Sequence, residues 1–447
     1  MSPPPFPSIT EKIKSPAFAM AWLGPTFYDD FSIIAYGGGG GSARTGVANH
    51  IAVLSIVADK QSKSNVLDST SKMNKEPFSH VRSIDTGDQI CVGIELQHYG
   101  PKLEQKRLLA AIGTEIRYYD ALTGDLLGSQ EVGNEGSNAV AISPCRQRCV
   151  VGCENGRVLL YSIIESNLNK TNEGTKGNEI EFKLISTFNG HIESSSNKKG
   201  VCSITFSPSN KFFLSSSRDG TARVCDSKTG APLCCLECSI TESDSKKPSK
   251  KTPILVRGCS FGFDENIIYT CQSGRRGPAY CSIWRLNTQS SSPQYQEILR
   301  KCVSPKPISS MSMSGDKSTI IFGNVEGSVF LYYADSLDVR RKFEEIHDLP
   351  VTCVAAWPAG MGFNRFVVVS ASADNKLAFL SMKTLPRSKM LVLIWLLMLI
   401  VGGGLCRTWY YECKNQFFES NLDAMMDCMK HSILAPEDRP GIAFVPY

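Results

Sequence analysis

The sequence predicts an all-β fold, a seven-bladed β-propeller followed by one C-terminal membrane-crossing helix, and three observations carry that prediction. A unit of short strands with alternating apolar and polar residues recurs seven times before residue 383. Turns built from glycine, asparagine and aspartate separate the strands, as hairpins require. Met390 to Leu405 then forms a run of sixteen residues without a charge. The chain has 447 residues, 42% of them hydrophobic and 20% charged, which is the balance of a folded globular protein. A net charge of +5 is small for this length and gives no reason to expect a nucleic-acid ligand. The leader Met1 to Pro7 has no apolar core and does not read as a signal peptide, so translation is expected to begin with a cytosolic domain.

The first unit contains the most unusual stretch. Phe31 to Tyr36 and His50 to Val57 read as strands, and thirteen residues separate them, six of which are glycine (Gly37, Gly38, Gly39, Gly40, Gly41 and Gly46). A hairpin turns in two to five residues, so this connection is shaped for something else, or is merely flexible. Nucleotide motifs fail on spacing: no frame gives G-x-G-x-x-G, and Gly41 to Gly46 is followed by Val47-Ala48 where a P-loop needs Lys-Ser/Thr. Both motifs also lead into a helix, and here a strand follows. The remaining chemistry is a ring of carbonyls suited to a cation or a nest of amides suited to an anion.

The later units follow in order. Leu108 to Ile112 leads to Ile116 to Asp120, Ala139 to Pro144 leads to Glu154 to Tyr161, and Arg257 to Phe263 leads to Cys281 to Trp284. Met311 to Gly315 leads to Glu326 to Tyr332, and Val351 to Trp357 leads to Ala373 to Leu380. The best-formed copy is Val201 to Pro208, Phe212 to Ser217 and Arg218 to Asp226, with Gly190-His191 just upstream. This copy resembles a WD repeat, one four-stranded propeller blade, and His191 stands at that repeat's structural histidine. Seven blades close into a ring that protects strand edges. Polar insertions at 60–75, 166–181 and 243–252 interrupt the pattern, the last with Lys246, Lys247, Lys250 and Lys251, and they read as solvated loops.

Catalytic constellations do not assemble. Cys145, Cys149 and Cys153 are four apart on strand and turn, so they do not share a face. Cys235 and Cys238 make one C-x-x-C, with no second pair to complete a zinc site. Fourteen cysteines precede the apolar run and read as free thiols of a reducing compartment. The six histidines lie outside any H-E-x-x-H, and there is no G-x-S-x-G. The expectation is a protein that performs no bond chemistry.

The run 390–406 reads as a transmembrane helix, uncharged on every face and about 25 Å long at roughly 1.5 Å per residue. Lys383, Arg387 and Lys389 fall in the basic juxtamembrane segment 383–389, and Trp409-Tyr-Tyr411 follows the span as an aromatic belt. The positive-inside rule then makes 1–382 a cytosolic propeller and 407–447 a short luminal tail, a single-pass type II topology. Cys413 and Cys428 fall in that tail, where a disulfide can form.

A cytosolic seven-bladed propeller, a glycine-rich loop in its first blade and a C-terminal anchor together resemble the endoplasmic reticulum exchange factors that start COPII coat assembly, the prolactin regulatory element-binding protein family. The loop pattern associated with that family is G-G-G-G-x-x-K-T-G-[IV]-x-N. Gly38 to Asn49 matches it, with Arg44 in the lysine position. The resemblance covers the whole chain in architecture and only this loop in motif. It implies guanine nucleotide exchange on the small GTPase of the COPII coat at the endoplasmic reticulum membrane. It further implies a bound potassium ion in the loop, with coat components as possible further partners. Backbone carbonyls of Gly37, Gly38, Gly39, Gly40, Gly41 and Gly46, with the Asn49 side chain, are then the expected potassium ligands. Arg44, Val47, Ala48 and Asn49 are the expected GTPase-contacting residues. The alternative is a non-catalytic propeller of the same kind that escorts particular cargo from the endoplasmic reticulum.

Overall fold

Each sequence unit folds as a four-stranded antiparallel sheet, and seven such sheets follow one another around a central channel. The computed structural model describes residues 9–26, 31–41, 46–57, 78–100, 103–167, 178–192, 200–238, 254–287, 294–358 and 367–382, and every element among them is a strand. The segments 383–389, 390–406 and 407–447 lie outside the described residues, as do Cys413, Cys428 and the insertions 60–75 and 243–252. No helix of the described residues is long and apolar enough to cross a membrane.

After β1 (Ile9–Lys12), the first blade holds β2 (Ala17–Leu23), β3 (Phe31–Gly38), β4 (Asn49–Val57) and β5 (Phe78–Gly87). The second holds β6 (Cys91–Tyr99), β7 (Gln105–Ile112), β8 (Glu115–Asp120) and β9 (Leu126–Glu131). The third holds β10 (Ser137–Ile142), β11 (Arg148–Cys153), β12 (Val158–Asn167) and β13 (Asn178–Phe188). The fourth holds β14 (Val201–Phe206), β15 (Phe212–Ser217), β16 (Thr221–Asp226) and β17 (Pro232–Glu237). The fifth holds β18 (Leu255–Phe261), β19 (Ile267–Ser273), β20 (Ala279–Asn287) and β21 (Gln294–Ser304). The sixth holds β22 (Ile308–Met313), β23 (Thr319–Asn324), β24 (Val329–Tyr333) and β25 (Val339–Phe343). The seventh holds β26 (Val351–Ala356), β27 (Val368–Ser372) and β28 (Lys376–Leu380), and β1 supplies its outermost strand by pairing antiparallel with β28. This closure ties the start of the propeller to its end, which the four residues Ile9 to Lys12 are too few to reveal by pattern.

Cores form between blades, so interior strands bury both faces. In β3, Ile33 and Ala35 join a cluster with the second blade, while Ile34 and Tyr36 join one with the seventh. That two-sided burial is why Phe31 to Tyr36 is almost continuously apolar and not alternating. Phe78 stacks on Phe379 with ring centroids 4.9 Å apart, sealing the junction of the first and last blades.

Two register features recur in every blade. Each innermost strand skips one residue near its start, after its first pairing in six blades and after its second in the fifth, at Phe18, Val92, Asn138, Cys202, Arg257, Ser309 and Thr352. Opposite the residue after each bulge stands a small residue of the second strand: Gly37, Ala111, Gly152, Ser216, Cys271, Gly323 or Ala371. At three of these glycines the next blade leaves no room for a side chain. A Cβ on Gly37, Gly152 or Gly323 would lie 2.7, 2.4 or 2.5 Å from Cys91, Val201 or Val351, each the first residue of the following inner strand. Gly37 is therefore glycine because blade two packs against it.

In the third blade the strands run further than the sequence pattern suggests. β12 reaches Asn167 and β13 begins at Asn178, so both ends of the expected insertion 166–181 are strand, paired from Ile163 with Phe182 to Asn167 with Asn178, and 168–177 lie outside the described residues.

Candidate functional site

The glycine loop begins later than the sequence suggests. β3 continues through Gly37 and Gly38, which pair with Ile51 and His50 on one side and with Ala19 and Ala17 on the other. A Cβ on Gly38 would lie 2.0 Å from the Pro16 carbonyl oxygen. The first two glycines of the run are thus spent on a central strand and its close neighbours, and the loop proper is 39–48.

Within it, backbone geometry and one side chain fix the chain. Gly39, Gly41 and Gly46 adopt φ values of 148°, 77° and 75°, open to glycine and strained for other residues. The Gly39 N–H donates to Pro16 O at 3.1 Å, and the Gly40 N–H donates to Val47 O at 3.3 Å across the loop. Asn49, only 4% exposed, braces the rest. Its Oδ1 accepts from the Gly41 N–H at 2.9 Å, and its Nδ2 donates to Gly41 O at 3.2 Å and to Gly87 O at 2.9 Å. Gly87 is the last residue of β5 and the register partner of Asn49, so one amide ties the loop to the outermost strand of the same blade. Gly39 passes so close that a Cβ there would meet Asn49 Oδ1 at 2.1 Å.

The predicted contact residues divide accordingly. Gly46, Val47 and Ala48 are exposed, Val47 at 37%. Asn49 is buried and faces the loop it holds. Arg44 lies outside the described residues.

As a cation site, the loop offers neutral oxygens. Among the described residues no hydrogen bond reaches the carbonyls of Gly39 or Gly40. Asn49 Oδ1 already accepts one bond and has a second lone pair. Carbonyl and amide oxygens without a carboxylate suit a weakly hydrated monovalent ion such as potassium. Gly37 and Gly38 do not belong to that donor set, because both stand in the ladder between β2 and β4.

Two buried histidines serve the blades. His191 is 0% exposed; its Nδ1 lies 3.0 Å from Asp219 Oδ2 and its Nε2 lies 2.9 Å from Ser215 Oγ. Burial works against the Asp219 carboxylate, yet the hydrogen bonds from His191 and Thr221 outweigh it and hold its pKa below the ordinary 3.8. His347 repeats the arrangement in the seventh blade, with Asp374 Oδ2 at 3.2 Å and Ser370 Oγ at 2.9 Å. Burial lowers the His347 pKa below 6.5 despite Asp374 beside it. Sequence reasoning assigned the structural role only to His191. The signal for His347 was present: a histidine before an inner strand, and an Asp374-Asn-Lys376 turn matching Asp219-Gly-Thr221.

Cys149 and Cys153, expected on different faces, both stand on β11 and turn to the same core cluster with Val151, because residues four apart on a strand share a face. Cys238 is buried and Cys235 exposed, and no group of three His, Cys, Asp or Glu side chains among the described residues converges for a metal. All fourteen described cysteines are free.

Comparison with known proteins agrees with this architecture. The family model for the WD domain, G-beta repeat, matches residues 182–226, which hold His191, Ser215 and Asp219. No curated protein matches the sequence. Among solved structures, a chain of one titled "Crystal Structure of Mitotic Checkpoint Complex" is similar, at 13% identity over 84% of this chain and 94% of that one, with a TM-score of 0.54. At that identity the likeness is one of fold. With 1462 chains of solved structures matching, the fold identifies an architecture and not a partner. The chain is thus a seven-bladed β-propeller that carries a WD repeat at residues 182–226.

Proposed function

We propose that this propeller is a guanine nucleotide exchange factor for the small GTPase that initiates COPII coat assembly, and that the loop 39–48 is the part that touches the GTPase. The observation that carries the reading is the brace: Asn49 holds Gly41 from two sides and joins it to Gly87, while Gly46, Val47 and Ala48 stand exposed beyond it. An exchange factor forms no covalent bond. It binds the nucleotide-free GTPase more tightly than the GDP-bound form and shifts the population by that difference. A rigid tip is what such work needs, because a loop that ordered only on contact would lose part of its binding free energy to conformational entropy.

In this reading Val47 and Ala48 supply the apolar contact and Arg44 pairs with an acidic group of the GTPase. Asn49 acts behind them by holding the loop. Potassium belongs to the same proposal, with Gly39 O, Gly40 O and Asn49 Oδ1 as its protein ligands. When bound it supplies a positive charge that draws loop carbonyls together. The run 390–406 would anchor the chain in the endoplasmic reticulum membrane as a type II protein with the propeller in the cytosol, confining exchange to the surface where the coat forms. GDP release from the candidate GTPase, measured with and without the full-length chain, tests the reading. Release that the chain does not accelerate would leave a binding scaffold without exchange activity.

A further inference from the structure

Inside the central channel a carboxylate and an ammonium group face one another without pairing. The inner strands run away from the face that carries the glycine loop, because β2 is antiparallel to β3 and β3 ends at that loop. Three residues past the bulge, six blades place a small side chain: Ala21, Ala141, Thr205, Ser260, Ser312 or Ala355. The second blade places Glu95 there. Further from the loop-bearing face, the turn between β22 and β23 holds Lys317 at a φ of 58°. The same turn position in the third and fourth blades holds Arg146 and Asn210. Of these three, Lys317 alone lines the channel.

Each of the two charges favours the ionised form of the other, yet among the described residues neither side chain makes a hydrogen bond or an ion pair. Burial opposes both charges more strongly, raising the Glu95 pKa to about 7 and holding that of Lys317 below 10.5. Arg257, the remaining charged residue of the lining, stands at the bulge of its own strand, roughly 10 Å nearer the glycine loop at about 3.3 Å per residue. A desolvated charge without a partner is costly until a ligand supplies one. The ring of small residues leaves space for such a ligand, in a cavity of about 530 Å³. Trp357, whose carbonyl accepts from the Gly315 N–H at 2.8 Å, gives the Lys317 turn an apolar wall. A molecule that carries the opposite charges in the same order satisfies both ends at once.

We propose that the channel interior is a binding site for a small zwitterion of the amino-acid class, its ammonium group held by Glu95 and its carboxylate by Lys317, with the Thr205 and Ser312 hydroxyls as neutral partners. The site is separate from the glycine loop and does not depend on exchange activity.

Isothermal titration calorimetry with the full-length chain tests it, using glycine, 4-aminobutanoate and 6-aminohexanoate, in which the two charges stand progressively further apart. Butylamine and butanoate, each with one of the two charges, serve as comparators. At least one zwitterion is expected to bind one per chain, and both comparators at least tenfold more weakly. The tightest of the three reads out the spacing between Glu95 and Lys317. Glu95→Gln and Lys317→Gln should each weaken that zwitterion at least tenfold, whereas Arg257→Gln, nearer the glycine loop, should bind it as the parent chain does. Melting curves of the variants separate lost binding from lost fold. The proposal is overturned if none of the three zwitterions binds, if butylamine or butanoate binds equally well, or if folded Glu95→Gln retains the parent affinity.

Discussion

Asn49 grips Gly41 at both backbone atoms, accepting from its N–H at 2.9 Å and donating to its carbonyl at 3.2 Å. The same amide group donates to Gly87 O at 2.9 Å, so a single side chain joins the loop to the end of β5, the outermost strand of the first blade. Removing it in Asn49→Ala leaves those backbone groups without their partner at a site only 4% exposed. Destabilisation of about 1–3 kcal/mol is expected, read as a lower midpoint in chemical denaturation. Asn49→Asp should not rescue it, because a carboxylate accepts from Gly41 N–H but cannot donate to either carbonyl. Equal stability of Asn49→Ala and the parent chain would show that the brace contributes nothing.

The six glycines of the loop region should not respond alike. Gly38→Ala drives a Cβ to 2.0 Å from Pro16 O in the middle of the first blade, and Gly37→Ala drives one to 2.7 Å from Cys91. Both should reduce stability, by about 1–3 kcal/mol. At Gly46 an added Cβ meets nothing within 4 Å, so Gly46→Ala should cost only the left-handed backbone strain of its 75° φ, about 1–2 kcal/mol. Thermal melts of the three variants check the order, which fails if Gly46→Ala proves the most damaging.

The uneven burden on these glycines also explains what the sequence could and could not reveal. Seven units were legible because each blade repeats short, apolar strands separated by turns, and the Asp219-Gly220 turn carries its own signature. Gly37 and Gly38 were not separable from Gly39 to Gly41 by composition. Their need for a missing side chain comes from Cys91 and Pro16, partners that only the folded ring brings near. Asn49 stood out as a loop residue, but its amide serves Gly41 and Gly87, and sequence spacing says nothing of Gly87, thirty-eight positions away. Closure by β1 was hidden for a similar reason, since Ile9 pairs with Phe379 across nearly the whole propeller.

Acid should weaken the ring through the two histidine–aspartate pairs. The folded pKa of His347 lies below its ordinary 6.5, so as pH falls past 6.5 the unfolded chain takes up a proton that the folded chain refuses, and stability drops. The Asp219 pKa is depressed below 3.8, so its contribution is present above that pH and lost as pH falls through the lower folded value. His347→Gln should flatten the stability profile between pH 7 and pH 5, a window set by the 6.5 value. An unchanged slope in that variant would assign the acid sensitivity elsewhere.

Thiol reactivity should follow burial. Desolvation raises the pKa of Cys238 to about 11 and that of Cys353 to about 12, and it pushes Cys149, Cys271 and Cys281 higher still. Cys235 and Cys302 are exposed. Brief treatment of the native chain with iodoacetamide should label Cys235 and Cys302 among the described thiols, and unfolding should release the buried ones. Early labelling of Cys149 or Cys281, read by peptide mass, would contradict the packing between blades.

The most direct measurement of the proposed function follows GDP leaving the COPII-coat GTPase after the full-length chain is added, in potassium buffer. The parent chain should accelerate release. Gly39→Val, whose side chain would collide with Asn49 Oδ1, should slow it at least tenfold, equivalent to about 1.4 kcal/mol of barrier, while its melting curve still shows a folded propeller. No acceleration by the parent chain, or equal acceleration by a folded Gly39→Val, would contradict the exchange mechanism.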